Sequence, residues 1–405
     1  MSRLPLEGIK VADFSWQYTG PIVTKFLADF GAEVIKIEAR DRPDGARGYS
    51  PYKEGKPGIN RSMVFANYNS DKYDMTINLR KPKGLELARD VIRRSNIVIE
   101  CFRPGVAKRL GIGYEEVKEI KPDIVYVSMS FQGQTGRLAK QYTLGAFFQA
   151  AVGVTHLTGW PDRKPTGTPV AYPDYISPWY LLVGIMAALD YQRRTGKGQY
   201  LDISQLETSL QYMIPSLLDY SVNNRNQGRI GNRSSYSAPH GVLRCQGDDR
   251  WCAVAAFNDE EWRAMCQVMG RPTWSYDVKF TTFSGRKENE DELEKLVEAW
   301  TIEHGAEDVM QLMQDAKVTA GVVQTGQDIV DRDKQLKHRH HFRMLEHPEI
   351  GEHYSECCPA RLSKTPAQII TPAPCLGEHN EYVCTEILGY PSDKFMELVI
   401  DGVFD

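Results

Sequence analysis

Ile9-Lys10-Val11-Ala12-Asp13-Phe14 is a short apolar run of β character, and Glu33-Val34-Ile35-Lys36-Ile37-Glu38 is a second one, a single helix further on. Between them Ser15 to Gly20 form a polar loop, and Pro21 suits the first position of a helix, where its missing N–H costs nothing. Ile22, Phe26, Leu27 and Phe30 recur at helical spacing, so 21–30 reads as an amphipathic helix that Gly31 ends. Strand, helix and strand in such quick succession make a βαβ unit, with parallel strands and a right-handed crossover.

The alternation continues. A helical stretch over 83–95 precedes a strand at Asn96-Ile97-Val98-Ile99-Glu100, and Asp123-Ile124-Val125-Tyr126-Val127-Ser128 is another strand. Such a chain builds a parallel sheet covered on both faces, with its site beyond the carboxyl ends of the strands. The loop after the first strand reads Ser15-Trp16-Gln17-Tyr18-Thr19-Gly20, which is not the glycine pattern of a nicotinamide-dinucleotide fold. Ser177-Pro178 reads as a cap opening a mostly apolar helix to about Arg193. The turn Arg194-Thr195-Gly196-Lys197-Gly198, a strand at 199–204 and a helix over 206–220 follow. From Asn223 the composition shifts to Asn, Arg, Gly and Ser. The expected organisation is a large Rossmann-like α/β domain over 1–222, a smaller α+β domain over 223–336, and a segment, 337–405, that returns to the large domain.

A length of 405 residues suits two domains. With Lys+Arg 49 and Asp+Glu 53, the net charge of −4 lacks the basic footprint of a nucleic-acid binder. The longest apolar run, Trp179 to Leu189, is about half the roughly 20 residues a spanning helix needs. The N-terminus has no apolar signal segment, and eight scattered cysteines without a C-x-x-C pair suit reduced thiols in a cytoplasmic protein. His338-Arg339-His340-His341 has Lys337 and Arg343 as neighbours rather than carboxylates, and reads as a solvated basic face; no metal is expected.

The candidate for chemistry is Asp174, in Ala171-Tyr172-Pro173-Asp174-Tyr175-Ile176-Ser177. A carboxylate among apolar and aromatic residues is costly unless hydrogen-bonded, and suits a nucleophile or a base of raised pKa. The same residue also suits shaping of the loop through backbone N–H bonds, and local features leave both roles open. Arg40, Arg42, Arg47, Lys72, Arg103, Lys108 and Arg109 put positive charge around the expected crevice, where guanidinium forks suit phosphates. Gln17 is suited to donate to an oxyanion.

Leu6 to Phe14, Gly20-Pro21 and Leu27 to Glu38, with Phe102-Arg103-Pro104-Gly105, Arg194 to Gln199, Gly231-Asn232-Arg233 and Leu376-Gly377-Glu378-His379, resemble in order the family III CoA-transferases. The resemblance implies an interlocked homodimer, or a heterodimer with a related subunit, and an acyl-CoA and a small carboxylic acid as substrates. It places Asp174 as the nucleophile, passing through an aspartyl anhydride and an aspartyl-CoA thioester, with Gln17 beside it. Arg40, Arg47, Lys72, Arg103, Arg109, Leu110 and Tyr142 are then expected to hold CoA. Succinyl-CoA is the implied donor. The acceptor is aromatic or dicarboxylic, benzylsuccinate among the possibilities, with Trp16, Tyr18, Tyr172, Tyr175 and Trp179 as expected pocket walls. Thr143-Leu144-Gly145 stands where relatives carry an acidic triplet and racemases a histidine, and Leu144 counts against an α-methylacyl-CoA racemase. A non-catalytic subunit of a heteromeric transferase is the remaining alternative, and the presence of Asp174 speaks against it.

Overall fold

Six strands run parallel through the first unit of the chain: β1 Lys10–Phe14, β2 Glu33–Glu38, β3 Tyr73–Thr76, β4 Ile97–Glu100, β5 Val125–Ser130 and β6 Gln199–Ser204. Their order is β3-β2-β1-β4-β5-β6, so the chain leaves β1 to one side for β2 and to the other for β4. The computed structural model describes residues 4–141 and 145–405. Tyr142 and Leu144, expected respectively at the CoA site and at the racemase position, lie outside the described residues.

Both faces of the sheet are covered, which is why its central strands place apolar residues on both. On one face Ala12, Phe14, Ile35 and Val98 pack with Leu87, Ala88, Val91 and Ile92 of the helix Pro82–Arg94. On the other, Val11, Val34, Ile97, Ile99, Val125 and Val127 meet Val23 and Leu27 of the helix Thr19–Asp29. Leu181, Ile185 and Ala188 of the helix Tyr172–Thr195 complete that layer.

The sequence pattern misses β3, where Asp74 and Thr76 interrupt the apolar run. It also starts the long helix too late. The helix begins at Tyr172, and Ser177 lies inside it, donating to the Pro173 carbonyl at 2.8 Å instead of capping. The helix expected over 206–220 is broken into Gln205–Leu210, a 3₁₀ turn and Ile214–Asn223, which carries a proline in its first turn.

The first unit comprises Met1–Thr155, Gly167–Arg225 and Gln335–Asp405. Its last segment carries the hairpin Phe342–His347 with Gly351–Glu356, then runs beside β3, where the Phe404 carbonyl accepts from Thr76 Oγ1. The second unit comprises His156–Thr166 and Asn226–Lys334. It holds an antiparallel sheet of β7 His240–Arg244, β8 Trp251–Ala255 and β9 Thr319–Val322, backed by Trp262, Met265, Leu293, Val297 and Val309. No described helix is long and apolar enough to cross a membrane.

Candidate active site

In a parallel sheet a crevice opens where consecutive connections diverge, here between the carboxyl ends of β1 and β4. A cavity lies there. Trp16 to Thr19 line it from the end of β1, Cys101 to Pro104 from the end of β4, Met129 to Phe131 from the end of β5 and Gln205 from the end of β6. Asp174 and Phe148 complete the wall.

Asp174 sits in the first turn of the helix Tyr172–Thr195, where unsatisfied N–H groups favour a negative charge. Gln205 Nε2 donates to its Oδ1 at 2.7 Å and Thr19 Oγ1 reaches the same oxygen at 3.2 Å. No described residue bonds Oδ2. Burial pushes the carboxyl up to about 6, against the opposing pull of the Gln205 and Thr19 bonds. Pro178 explains a further contact. Lacking an N–H, it cannot bond the carbonyl four residues back, which is that of Asp174, and this carbonyl accepts from Thr19 Oγ1 at 3.1 Å instead. The approach to the helix is fixed by buried Gln149, which accepts from Thr168 and donates to the Val170 carbonyl at 2.6 Å.

The β1 loop is held from below by charge. Asp13 accepts from Ser15 N at 2.9 Å and from Thr24 Oγ1 at 2.5 Å, and pairs with Lys72 at 3.4 Å. Burial alone would raise Asp13, yet Lys72, Lys36 and the hydroxyls of Ser15 and Thr24, both donating to it, hold it below its usual range. Gln17 adopts a left-handed backbone at φ 68°, and its N–H donates to Asp44, itself paired with Lys36 at 2.8 Å. Trp16 N donates to the Cys101 thiol at 3.0 Å, tying the two loops together across the crevice. Glu100 accepts from Phe102 N at 2.6 Å and from Ser128, and burial pushes it up to about 7 against both bonds.

Two expected CoA ligands are corrected by this arrangement. Arg47 is buried, its guanidinium distributed over Glu38 at 2.7 Å, Asp74 at 3.3 Å and Asn60 at 3.0 Å, and lying on the Phe65 ring. Lys72 is buried as well and donates to Thr24, Asn69 and the Pro21 carbonyl. Both serve the interior, since each N–H donor already has an internal acceptor. Arg103 lines the cavity and is exposed, and Arg42 lies over the Trp16 ring at 5.3 Å. Arg40 and Arg109 are exposed outside the cavity lining, and Leu110 packs half-buried against the core. Of the expected aromatic walls, Trp16 and Tyr18 line the cavity and Tyr172, Tyr175 and Trp179 do not; Phe102, Phe131 and Phe148 take their place. Thr19, Cys101 and Gln205 escape a reading of motifs. The rule that sites gather just past strand ends points to each of them.

Fold and cavity together define an α/β enzyme with a partly buried carboxylate at its switch point. The chain belongs to CoA-transferase family III, whose model matches residues 6–380, and it is a CoA-transferase. It is 30% identical over 394 residues to the succinyl-CoA–D-citramalate CoA-transferase of Chloroflexus aurantiacus, covering 97% of this chain and 96% of that one. It is 27% identical to the succinyl-CoA:glutarate CoA-transferase of Mus musculus, over 100% of this chain and 91% of the relative. A crystal structure of a CAIB/BAIF family protein from Brucella suis superposes with a TM-score of 0.86 at 28% identity, covering 95% of this chain and 100% of that one.

Proposed function

We propose that the chain moves CoA from succinyl-CoA to a second, aliphatic dicarboxylic acid, with Asp174 as the covalent relay. Asp174 Oδ2 attacks the thioester carbonyl, giving a mixed anhydride and CoA thiolate. The thiolate attacks the aspartyl carbonyl, releasing succinate and leaving an aspartyl-CoA thioester. The acceptor carboxylate displaces CoA from it, forming a new anhydride, and the returning thiolate takes the acceptor acyl group and frees Asp174. One thioester is exchanged for another. The site's task is therefore to orient these groups and to keep water from the activated aspartate.

The observation that carries the reading is the asymmetry of Asp174: both donors hold Oδ1, and Oδ2 is left for the cavity. Gln17 is assigned to the developing oxyanion. Arg103, Arg109, Arg40, Leu110 and Tyr142 are assigned to the CoA nucleotide. An aliphatic acceptor is favoured because relatives are named for citramalate and glutarate, and because the cavity's rings already engage one another. Phe131 stacks on Phe148 at 4.3 Å, and Trp16 meets Phe102 edge-on at 5.7 Å. A homodimer is part of the proposal, supported by Leu217, Leu218, Tyr220 and Val222, which stand exposed on the helix Ile214–Asn223.

Asp174→Ala tests the role. Transfer from succinyl-CoA is expected to vanish, with CoA affinity kept within about tenfold, because ground-state binding does not use the nucleophile. Equal loss of both would make Asp174 structural.

A further inference from the structure

One residue of the cavity wall carries a hydroxyl for which the fold has no use. Ser130 is the last residue of β5 and lines the cavity; its Oγ is screened from solvent and has no hydrogen-bond partner among the described residues. Leaving a buried hydroxyl unbonded opposes folding, because the water it gave up is not replaced by another acceptor. Its neighbours show the usual solution. Two residues back on the same strand, Ser128 bonds Glu100, and across the ladder Ser204, which pairs with Ser130 in register, bonds the Phe131 carbonyl at 3.2 Å. The other buried hydroxyls without a partner in the first unit, those of Ser70, Thr155, Ser209 and Ser355, do not line this cavity. Ser130 alone among the described orphan groups lines the wall that Asp174 shares. Its register partner, Ser204, directly precedes Gln205, the residue that holds Asp174.

We infer that Ser130 is a substrate-contacting residue whose Oγ–H donates to the carbonyl oxygen of the acyl group undergoing attack. This rests on the transferase reading of Asp174. The hydroxyl keeps its proton; it gives only a hydrogen bond, which strengthens as the oxygen gains charge in the tetrahedral state. The substrate acyl group supplies the acceptor that the protein lacks.

The test compares the full-length chain with Ser130→Ala and Ser130→Thr, reading exchange of isotope-labelled succinate into succinyl-CoA, affinity for free CoA, and the urea midpoint of the protein alone. A group without a partner in the fold predicts that Ser130→Ala keeps or raises the urea midpoint. Free CoA, having no acyl oxygen, should bind unchanged. Exchange should fall about 100-fold in kcat/KM, and Ser130→Thr, which retains a hydroxyl, should recover part of it. Exchange by Ser130→Ala at the wild-type rate overturns the assignment alone, as does a lowered midpoint with proportionate loss of CoA binding. If the wild-type protein exchanges no label, the succinyl-CoA reading and this assignment fall together.

Discussion

The side-chain amide of Gln205 bridges Asp174 and Thr19, donating to Asp174 Oδ1 at 2.7 Å and to Thr19 Oγ1 at 3.0 Å. Three chain segments, the start of the helix Thr19–Asp29, the first turn of the helix Tyr172–Thr195 and the residue after β6, are thereby locked around one carboxylate oxygen. The other oxygen receives no hydrogen bond from a described residue.

Removing that bridge should have a signed effect. The bond favours the charged carboxylate, so Gln205→Ala should move the acid limb of the pH–rate profile to higher pH. With orientation also lost, kcat should fall about 10- to 100-fold. An unmoved limb at unaltered kcat would show that Gln205 does not position Asp174.

Asp174 itself links activity to pH. Burial pushes its carboxyl up to about 6, so kcat/KM for the acyl-CoA should be full well above that pH and fall as pH drops through it. Stability runs the opposite way. A folded-state pKa above the unfolded value means that ionisation opposes folding, a penalty absent below pH 4 and complete above about 6. Asp174→Asn should therefore be more stable than the wild type at pH 8, by on the order of 1–3 kcal/mol, with the difference closing by pH 4. Urea midpoints at the two pH values check this, and a constant difference would contradict it.

Arg47 and Arg109 should separate cleanly. Arg47→Ala strands Glu38 without its buried cation, and about 3–5 kcal/mol of stability should be lost. Arg109→Ala removes an exposed side chain and should leave the urea midpoint in place while raising KM for the acyl-CoA, with little change in kcat. A stable Arg47→Ala protein with impaired CoA binding would return that residue to the ligand site.

The parallel sheet was legible because β1, β2, β4 and β5 carry apolar residues on both faces and are punctuated by Gly31 and Pro21, signals that act within a few residues. Asp174 stood out for the same local reason, an acid among apolar neighbours. That Gln205 and Ser130 share a wall with Asp174 was not legible, because β6 comes beside β5 only when the sheet assembles. Arg47 and Lys72 misled for a related reason. A cation in a loop resembles a ligand for phosphate, and only the fold brings Glu38, Asp74 and Asp13 around it. Pro178 after a serine looked like a helix start, while the missing N–H is used inside the helix, where it frees the Asp174 carbonyl for Thr19.

The most direct measurement is mass analysis of protein quenched during turnover with succinyl-CoA, followed by mapping of the peptide spanning 168–180. A covalent aspartyl adduct on Asp174, trapped by hydroxylamine as the hydroxamate and absent from Asp174→Ala, is the expected result. Product formation at the full rate with that peptide unmodified throughout would contradict the covalent relay.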